Sequence, residues 1–509
     1  MKSLKLTAAQ TALLMAVFTM GSKILGFIRE MVLANYYGAG VITDAFVMAQ
    51  SIPNMLFASL FSAVATAFMP TFSQKYELEG EKEAKLFTSR VLNILLSISA
   101  VSALLGFLCP ELLVKIFANN FSPEQMTLTE IYLKVTMCIL MFNSICTLME
   151  AFLQYKGVFL PQIVLGYTQN IAIIAVIVVS AYTSHYYLTY GVLAGWIIRS
   201  VGILFLSKKQ SFQYSFDWNL GSAAKNILAL ALPVFIGGSI NQLNAFVDKT
   251  LASGLETGSV AALNYANLIS GMIMTVTTTI LVTLIYPKLT QANSLKDYDR
   301  VNNIMEMGTS VVFIIAAPCT LGAMVYSGPV IQAVYERGAF DASASALTAP
   351  AFFGYAAGIL FQAMTMLLVK LYYSMGDMKT PVKYGIIAGI TNIVLNFVLV
   401  GRFQQGGLAM ATSIAAGVNM VQQYFGLRRK YPEIQLLRSK RKVVKILGST
   451  VVAVVVSRVA YQALIGISAI PGLISLGFAV CVASIVYLVL LIVCKIEEVN
   501  LIKDLFHRG

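Results

Sequence analysis

The chain has 509 residues, 58% of them hydrophobic and only 12% charged, with a mean hydropathy of +0.77. Soluble domains carry about twice that share of charge, so the composition excludes a water-soluble enzyme or nucleic-acid binder and indicates a polytopic membrane protein. The formal net charge of +13 is a topology signal, not a polyanion-binding surface, as its distribution shows below.

A membrane-crossing helix needs about 20 apolar residues. Fourteen segments meet that need, near 8–36, 42–72, 88–115, 126–153, 160–182, 186–207, 223–250, 258–287, 303–333, 347–374, 381–401, 406–427, 442–465 and 470–494. The connections are too short to hold a soluble catalytic domain. Lys and Arg alternate between them: Lys2, Lys5, Lys75, Lys82, Lys85, Arg90, Lys156, Lys208, Lys209, Lys225, Lys288, Lys296, Arg300, Lys379, Lys383, the cluster 428–445, Lys495, Lys503 and Arg508 fall on one side. Lys115, Lys249, Arg337 and Arg402 fall on the other. This positive-inside pattern predicts an even number of spans with both termini in the cytoplasm. The 428–445 cluster is either this signal alone or also a contact for anionic lipid heads.

The first segment is apolar up to Lys23 and continues through it without a small-residue cleavage site, which predicts a retained helix, not a signal peptide. Charge inside such a segment costs from about 2.5 to more than 10 kcal/mol. Lys23 and Arg29 are therefore expected to line a polar cavity and to bind something anionic, with Arg29 suited to bidentate phosphate contact. Structural pairing of Arg29 with Glu30 or Asp44 is the alternative. Six residues of helix place Lys23 and Arg29 about 240° apart, so they share a narrow stripe only if the helix bends or Lys23 reaches round, and Gly21 and Gly26 offer hinge points.

In the second segment Asp44 is either a favourable charge at a helix N-terminus or the acid that orients the cations. Pro53 frees a backbone carbonyl, and Ser51 or Asn54 is expected either to satisfy it or to face a cavity. Glu130, Lys134, Glu150 and Arg199, in the fourth and sixth segments, are cavity groups or snorkelling side chains. In the seventh segment Asn241, Asn244 and Asp248 lie on one helix face. Asn392 and Asn396 are spaced i, i+4 in the eleventh, and Thr412 follows in the twelfth. Asp248, Asn392, Asn396 and Thr412 form a candidate coupling-ion site, for Na+ or H+. Interhelical hydrogen bonding by Asn is the alternative. The six cysteines show no metal-ligand spacing and read as buried small hydrophobes; no cofactor or metal is expected beyond the coupling ion. His185 and His507 form no evident site.

The chain repeats itself. Ala67-Phe68-Met69-Pro70 resembles Leu284-Ile285-Tyr286-Pro287, an offset of 217 residues; Pro110 and Pro329, and Gly157 and Gly376, each stand 219 apart. The repeat predicts an all-α polytopic fold of about fourteen membrane helices. Two six-helix lobes would be related by a pseudo-two-fold axis along the membrane normal: residues 1–215 (helices 1–6) and 216–430 (helices 7–12). Residues 431–509 add two C-terminal helices. Parallel repeats of this kind occur in alternating-access transporters, with the site between lobes. No paired acidic metal motif or nucleophile–base arrangement supports a membrane enzyme.

Ser22-Lys23-Ile24-Leu25-Gly26-Phe27-Ile28-Arg29-Glu30, Gly38-Ala39-Gly40, Asp44-Ala45-Phe46, Pro53-Asn54, Gly376-Asp377-Met378-Lys379-Thr380-Pro381 and Gly407–Ser413 resemble the MurJ (MviN) family across the whole chain. The resemblance implies the MOP exporter fold and transport of lipid II between leaflets of the bacterial cytoplasmic membrane. It further implies a cationic cavity for the head group and a lipid-tail groove at the last two helices. Membrane lipids and the cell-wall synthesis machinery are the implied partners; nucleic acid is not. Carried onto this chain, the substrate-binding set is Ser22, Lys23, Arg29 and Asp44, extended by Asn54 and Arg199. The chain departs from the family where many members carry basic residues, at Ser51, Phe57 and Ala58 and within Tyr265–Ile269, so Arg199 or Lys249 is the candidate to compensate. A flippase for another polyprenyl-linked glycan, a small-molecule antiporter of the same superfamily, and a non-transporting scaffold for envelope synthesis are the competing functions.

Overall fold

In the computed structural model, residues 8–219, 223–436, 440–465, 472–496 and 498 are described. Lys2, Lys5, Lys503, His507 and Arg508 lie outside them, and with them the placement of both termini. Helix dominates the described residues, and twelve stretches among them are long and apolar enough to cross a membrane. One of the twelve, Lys379–Lys430, contains two of the predicted segments, separated at Gln404 by non-helical backbone (φ 48°, ψ −133°). The chain is an all-α, multi-pass membrane protein.

Packing divides the chain into two compact units, residues 1–261 with 337–340, and residues 262–336 with 341–509. The first contains α1 (Ala8–Tyr37), α2 (Val41–Glu79), α3 (Glu81–Leu108), α4 (Pro110–Phe117), α5 (Pro123–Tyr155), α6 (Leu160–Tyr182), α7 (Leu188–Lys209) and α8 (Ala223–Ala252). Proline at the first turn, where its missing N–H costs nothing, starts α4 and α5. A reciprocal cap reinforces α5: Gln125 N–H donates to Ser122 Oγ, and Ser122 N–H to Gln125 Oε1. α2 packs on both α5 and α8, α1 on α6, and α6 on α7.

The second unit holds most of α9 (Ser259–Ile280), then α10 (Tyr286–Ser294), α11 (Tyr298–Val325), α12 (Ser327–Tyr335), α13 (Ala342–Ala356), α14 (Ile359–Ser374), α15 (Lys379–Lys430), α16 (Lys440–Ile465) and α17 (Gly472–Val493). Ile314, Ile446, Ala453, Tyr487 and Leu491 build a core that fixes α16 and α17 on α11. An apolar cavity of about 530 Å³, lined among others by Ile273, Pro318, Phe352, Val454, Leu476 and Leu488, opens between α9, α11, α16 and α17.

Prolines inside helices are compensated from neighbouring helices. Pro53 cannot donate to the Ala49 carbonyl; Thr136 Oγ1 of α5 donates to it instead, at 2.7 Å. Neither Ser51 nor Asn54 fills that role, because Ser51 Oγ is directed back to Val47 O at 2.5 Å and Asn54 is exposed. In the second unit Pro318 frees the Ile314 carbonyl, which accepts from Tyr487 Oη of α17 at 3.0 Å. Membrane helices tolerate proline where a neighbour re-satisfies the freed group in this way.

Candidate functional site

The charged residues singled out in the first six segments all fall in the first unit. α1 is one unbroken helix through Gly21 and Gly26, not the hinged segment that its glycines suggested. Gly21 serves close approach: Tyr167 of α6 lies where a Cβ would stand, and its hydroxyl donates to Phe18 O at 2.6 Å. Ser22 is half-buried beside Gly166 of α6. With α1 straight, Lys23 and Arg29 face different ways. Lys23 is exposed, whereas Arg29 turns onto α6.

Each of the three Arg29 guanidinium nitrogens has a partner. Nε and Nη2 donate to Glu30 Oε1 at 3.0 and 2.6 Å, and Nη1 donates to Asn170 Oδ1 at 3.2 Å. The Arg29 and Glu30 side chains keep 29% and 11% of their surface. Arg199 on α7 has the same arrangement: Nε and Nη2 donate to Glu150 Oε1 at 3.1 and 2.6 Å, and Nη1 to Gln169 Oε1 at 2.8 Å. Consecutive α6 residues, Gln169 and Asn170, thus each support one arginine. Sequence reading missed both, because nothing in an amide on an apolar helix announces which distant cation it will meet.

Asp44 is buried and does structural duty at a helix start. Its Oδ2 accepts from Gly258 N–H at 2.6 Å and from Gln125 Nε2 at 3.1 Å, and its Oδ1 accepts from Ala261 N–H at 2.8 Å. The carboxylate thereby satisfies orphan amides at the α9 N-terminus and complements that helix's dipole. The structure brings it together with α9 and α5, while Arg29 pairs with Glu30. Asn54 lies exposed one residue beyond Pro53.

Lys249 of α8 donates through Nζ to Ser51 Oγ of α2. A cation from α8 thus stands at Ser51 of α2. Arg199, the other candidate to compensate, is committed to Glu150.

Of the coupling-ion set, the second unit brings three together: Asn392 Nδ2 donates to Thr412 Oγ1 at 3.3 Å, and Asn396 Nδ2 to Asn392 Oδ1 at 3.4 Å. Asn392 and Asn396 are buried. This oxygen-rich group suits a hard monovalent cation in type, and equally an interhelical polar contact. Asp248 belongs to the first unit. Among the described residues, no cluster of three or more His, Cys, Asp or Glu has metal-binding placement.

Arg458 on α16 escaped the sequence reading because it sits inside an apolar run. Its guanidinium lies over the rings of Tyr326 and Tyr461, at 5.7 and 5.4 Å from their centroids, beside the apolar cavity that Tyr326 helps to line.

Intramembrane arginines held by carboxylate and amide partners mark a candidate functional site, and comparison with known proteins shows the family. The probable lipid II flippase MurJ of Vibrio cholerae serotype O1 is 28% identical over 437 residues, covering 82% of this chain and 82% of that protein. The lipid II flippase MurJ of Burkholderia cenocepacia is 27% identical over 428 residues, covering 81% and 82%. The solved structure of a lipid II flippase MurJ in an inward closed conformation superposes with a TM-score of 0.83 at 22% identity, covering 96% of this chain and all of that one. An inward-facing multidrug resistance MATE transporter of the MOP superfamily shares the fold more distantly, with a TM-score of 0.67 at 11% identity over 83% of this chain and all of that one. The model of the family described as lipid II flippase MurJ matches residues 33–481, from within α1 to within α17, and the chain belongs to that family.

Proposed function

We propose that this chain carries lipid II from the cytoplasmic to the outer leaflet of the bacterial cytoplasmic membrane by alternating access. The observation that carries this reading is the family match over residues 33–481. The placement of Arg29 and Lys249 in one membrane-embedded unit agrees with it. In this reading both termini are cytoplasmic, as the distribution of Lys and Arg requires, and the repeat boundaries 1–215, 216–430 and 431–509 delimit two lobes and an added helix pair.

Arg29 supplies the bidentate contact to the pyrophosphate, a geometry that a planar guanidinium provides and an ammonium does not. Lys23 adds mobile positive charge on the exposed side of α1, and Ser22 and Asn54 offer hydroxyl and amide contacts to the head group. Lys249 supplies a second fixed cation. Arg199 and Asp44 act by holding α5–α7 and the α9 start in place, consistent with their partners. The apolar cavity between α9, α11, α16 and α17 has the chemistry to take part of a polyprenyl tail. Asp248, Asn392, Asn396 and Thr412 are the residues proposed to hold Na+ or H+ as the coupling ion, and the cell-wall synthesis machinery is the proposed protein partner. An inside-negative potential favours outward movement of an anion by about 2.3 kcal/mol per charge per 100 mV.

The test is rescue of cells depleted of their own lipid II flippase. Wild type should restore growth and shape, and Arg29→Ala and Asp248→Asn, expressed to the same level, should not. Rescue by Arg29→Ala at wild-type efficiency would remove Arg29 from substrate binding. Failure of wild type to rescue would favour another polyprenyl-linked glycan as cargo.

A further inference from the structure

The arginine proposed to grip pyrophosphate is already gripped. A guanidinium offers a bidentate acceptor its Nε/Nη2 edge, and Glu30 holds that edge with one oxygen at 3.0 and 2.6 Å. Asn170 fixes the third corner through Nη1, which orients the edge whether or not Glu30 is on it. Glu30 is the next residue on the same helix, so its carboxylate is always close by and needs no encounter step. It is also the acceptor most like phosphate that a side chain can offer.

We propose that Glu30 is an intramolecular competitor for the substrate's phosphate at Arg29. It occupies the Nε/Nη2 edge when no substrate is present and yields that edge when a phosphate oxygen takes it. The proposal rests on the reading of Arg29 as the pyrophosphate contact and says what limits that contact. Two physical consequences follow. In the substrate-free protein the guanidinium is neutralised, so α1 can keep an arginine within the membrane without bearing its isolated cost. With substrate present, exchange of one anion for another weakens binding relative to a bare arginine and gives release a ready replacement. A carrier gains from this, since tight binding of substrate alone does not raise turnover. Asn170 is on this account a positioning residue, acting on substrate only through Arg29.

The test uses full-length protein in liposomes, with lipid II transfer measured across substrate concentration and inorganic pyrophosphate as a soluble inhibitor. Glu30→Gln keeps the shape and a hydrogen-bond acceptor but loses the charge, and charged hydrogen bonds are about twice as strong as neutral ones. It should lower KM for lipid II and the inhibitory concentration of pyrophosphate, each by about three- to tenfold, and lower kcat because release slows. Glu30→Asp, which shortens the reach to Arg29 but keeps the charge, should move KM the same way by less. Asn170→Ala should raise KM. A Glu30→Gln protein with wild-type KM and pyrophosphate sensitivity, or with both raised, overturns the competitor role. Should Glu30→Gln not accumulate, Glu30→Asp decides on the same two readings. Absence of lipid II transfer by wild type would instead bring down the functional reading, and this inference with it.

Discussion

Lys249 Nζ of α8 donates to Ser51 Oγ of α2, so a cation from one helix stands over a hydroxyl two residues before Pro53 of another. If that ammonium serves transport, Lys249→Met should reduce lipid II transfer at least tenfold at unchanged protein level, and Lys249→Arg should retain much of it. Ser51→Ala removes the Lys249 contact and the Ser51 Oγ bond to Val47 O, each about 1 kcal/mol, but keeps the cation, and should cost less than Lys249→Met. Equal losses from both variants would make the contact a packing element. Transfer in liposomes, normalised to protein inserted, separates these outcomes.

Asp44 binds two backbone N–H groups at the α9 start through different oxygens. An asparagine at this position would have one carbonyl oxygen for both, leaving a buried donor unpaired at about 1–3 kcal/mol. Asp44→Asn should therefore lower the thermal unfolding midpoint in detergent, and Asp44→Ala should lower it further. Loss of transport with an unchanged midpoint would show that Asp44 acts on substrate and not on α9.

Arg199 and Glu150 should behave as a pair. Removing one leaves an uncompensated charge, at roughly 3 kcal/mol, the low end for a broken buried pair because both side chains keep some surface. Arg199→Leu and Glu150→Leu should each depress the unfolding midpoint, and the double variant should recover most of the loss and retain transport. A stable double variant that no longer transports would return Arg199 to the substrate-binding set.

Gly38 has φ +65°, and a Cβ there would strike the Ala339 carbonyl oxygen, which belongs to backbone and cannot swing aside. Gly40, two residues on, has extended backbone at φ −160° and nothing within 4 Å of a Cβ. Gly38→Ala should lower accumulation and midpoint, while Gly40→Ala should match wild type. The left-handed conformation alone costs an ordinary residue about 1–2 kcal/mol. Quantitative blotting of membranes checks the pair.

Asp377, in the turn before α15, accepts from Lys430 Nζ at 2.6 Å and from Thr380 Oγ1 at 2.7 Å. Burial alone would raise its carboxyl, but these hydrogen bonds outweigh that and hold it below the usual carboxylate value. A group depressed on folding stabilises above its unfolded pKa of about 3.9 and loses that contribution as pH falls through its folded value. The midpoint advantage of wild type over Asp377→Asn should be complete at pH 5 and shrink below about pH 4. A gap independent of pH would deny the charge a role.

The sequence carried the helices well because apolar length is a local property. Even the break between segments 381–401 and 406–427 was visible, and Gln404 sits within it. Partners were another matter. The α1 glycines suggested a hinge because glycine loosens an isolated helix; in the fold Gly21 admits the Tyr167 side chain, while Gly26 sits at ordinary contact distance from Asn170. Asp44 was ambiguous because its choice between cation and helix start depends on Gly258 and Ala261, more than two hundred residues away. Glu30 was visible beside Arg29 from the start. The missing information was its rotamer, which decides whether the neighbouring carboxylate covers the guanidinium or leaves it open.

Thr136 stands in for the hydrogen that Pro53 lacks, and Tyr487 does the same at Pro318. At these two points a bond that ordinarily belongs to one helix has been lent to a pair. α2 has no N–H of its own at Pro53 with which to reclaim it, so the Ala49 carbonyl depends on a hydroxyl of α5. The flexibility of such a helix is therefore jointly held, so a substitution on α5 that touches no ligand and no charge, Thr136→Val, should alter how α2 moves.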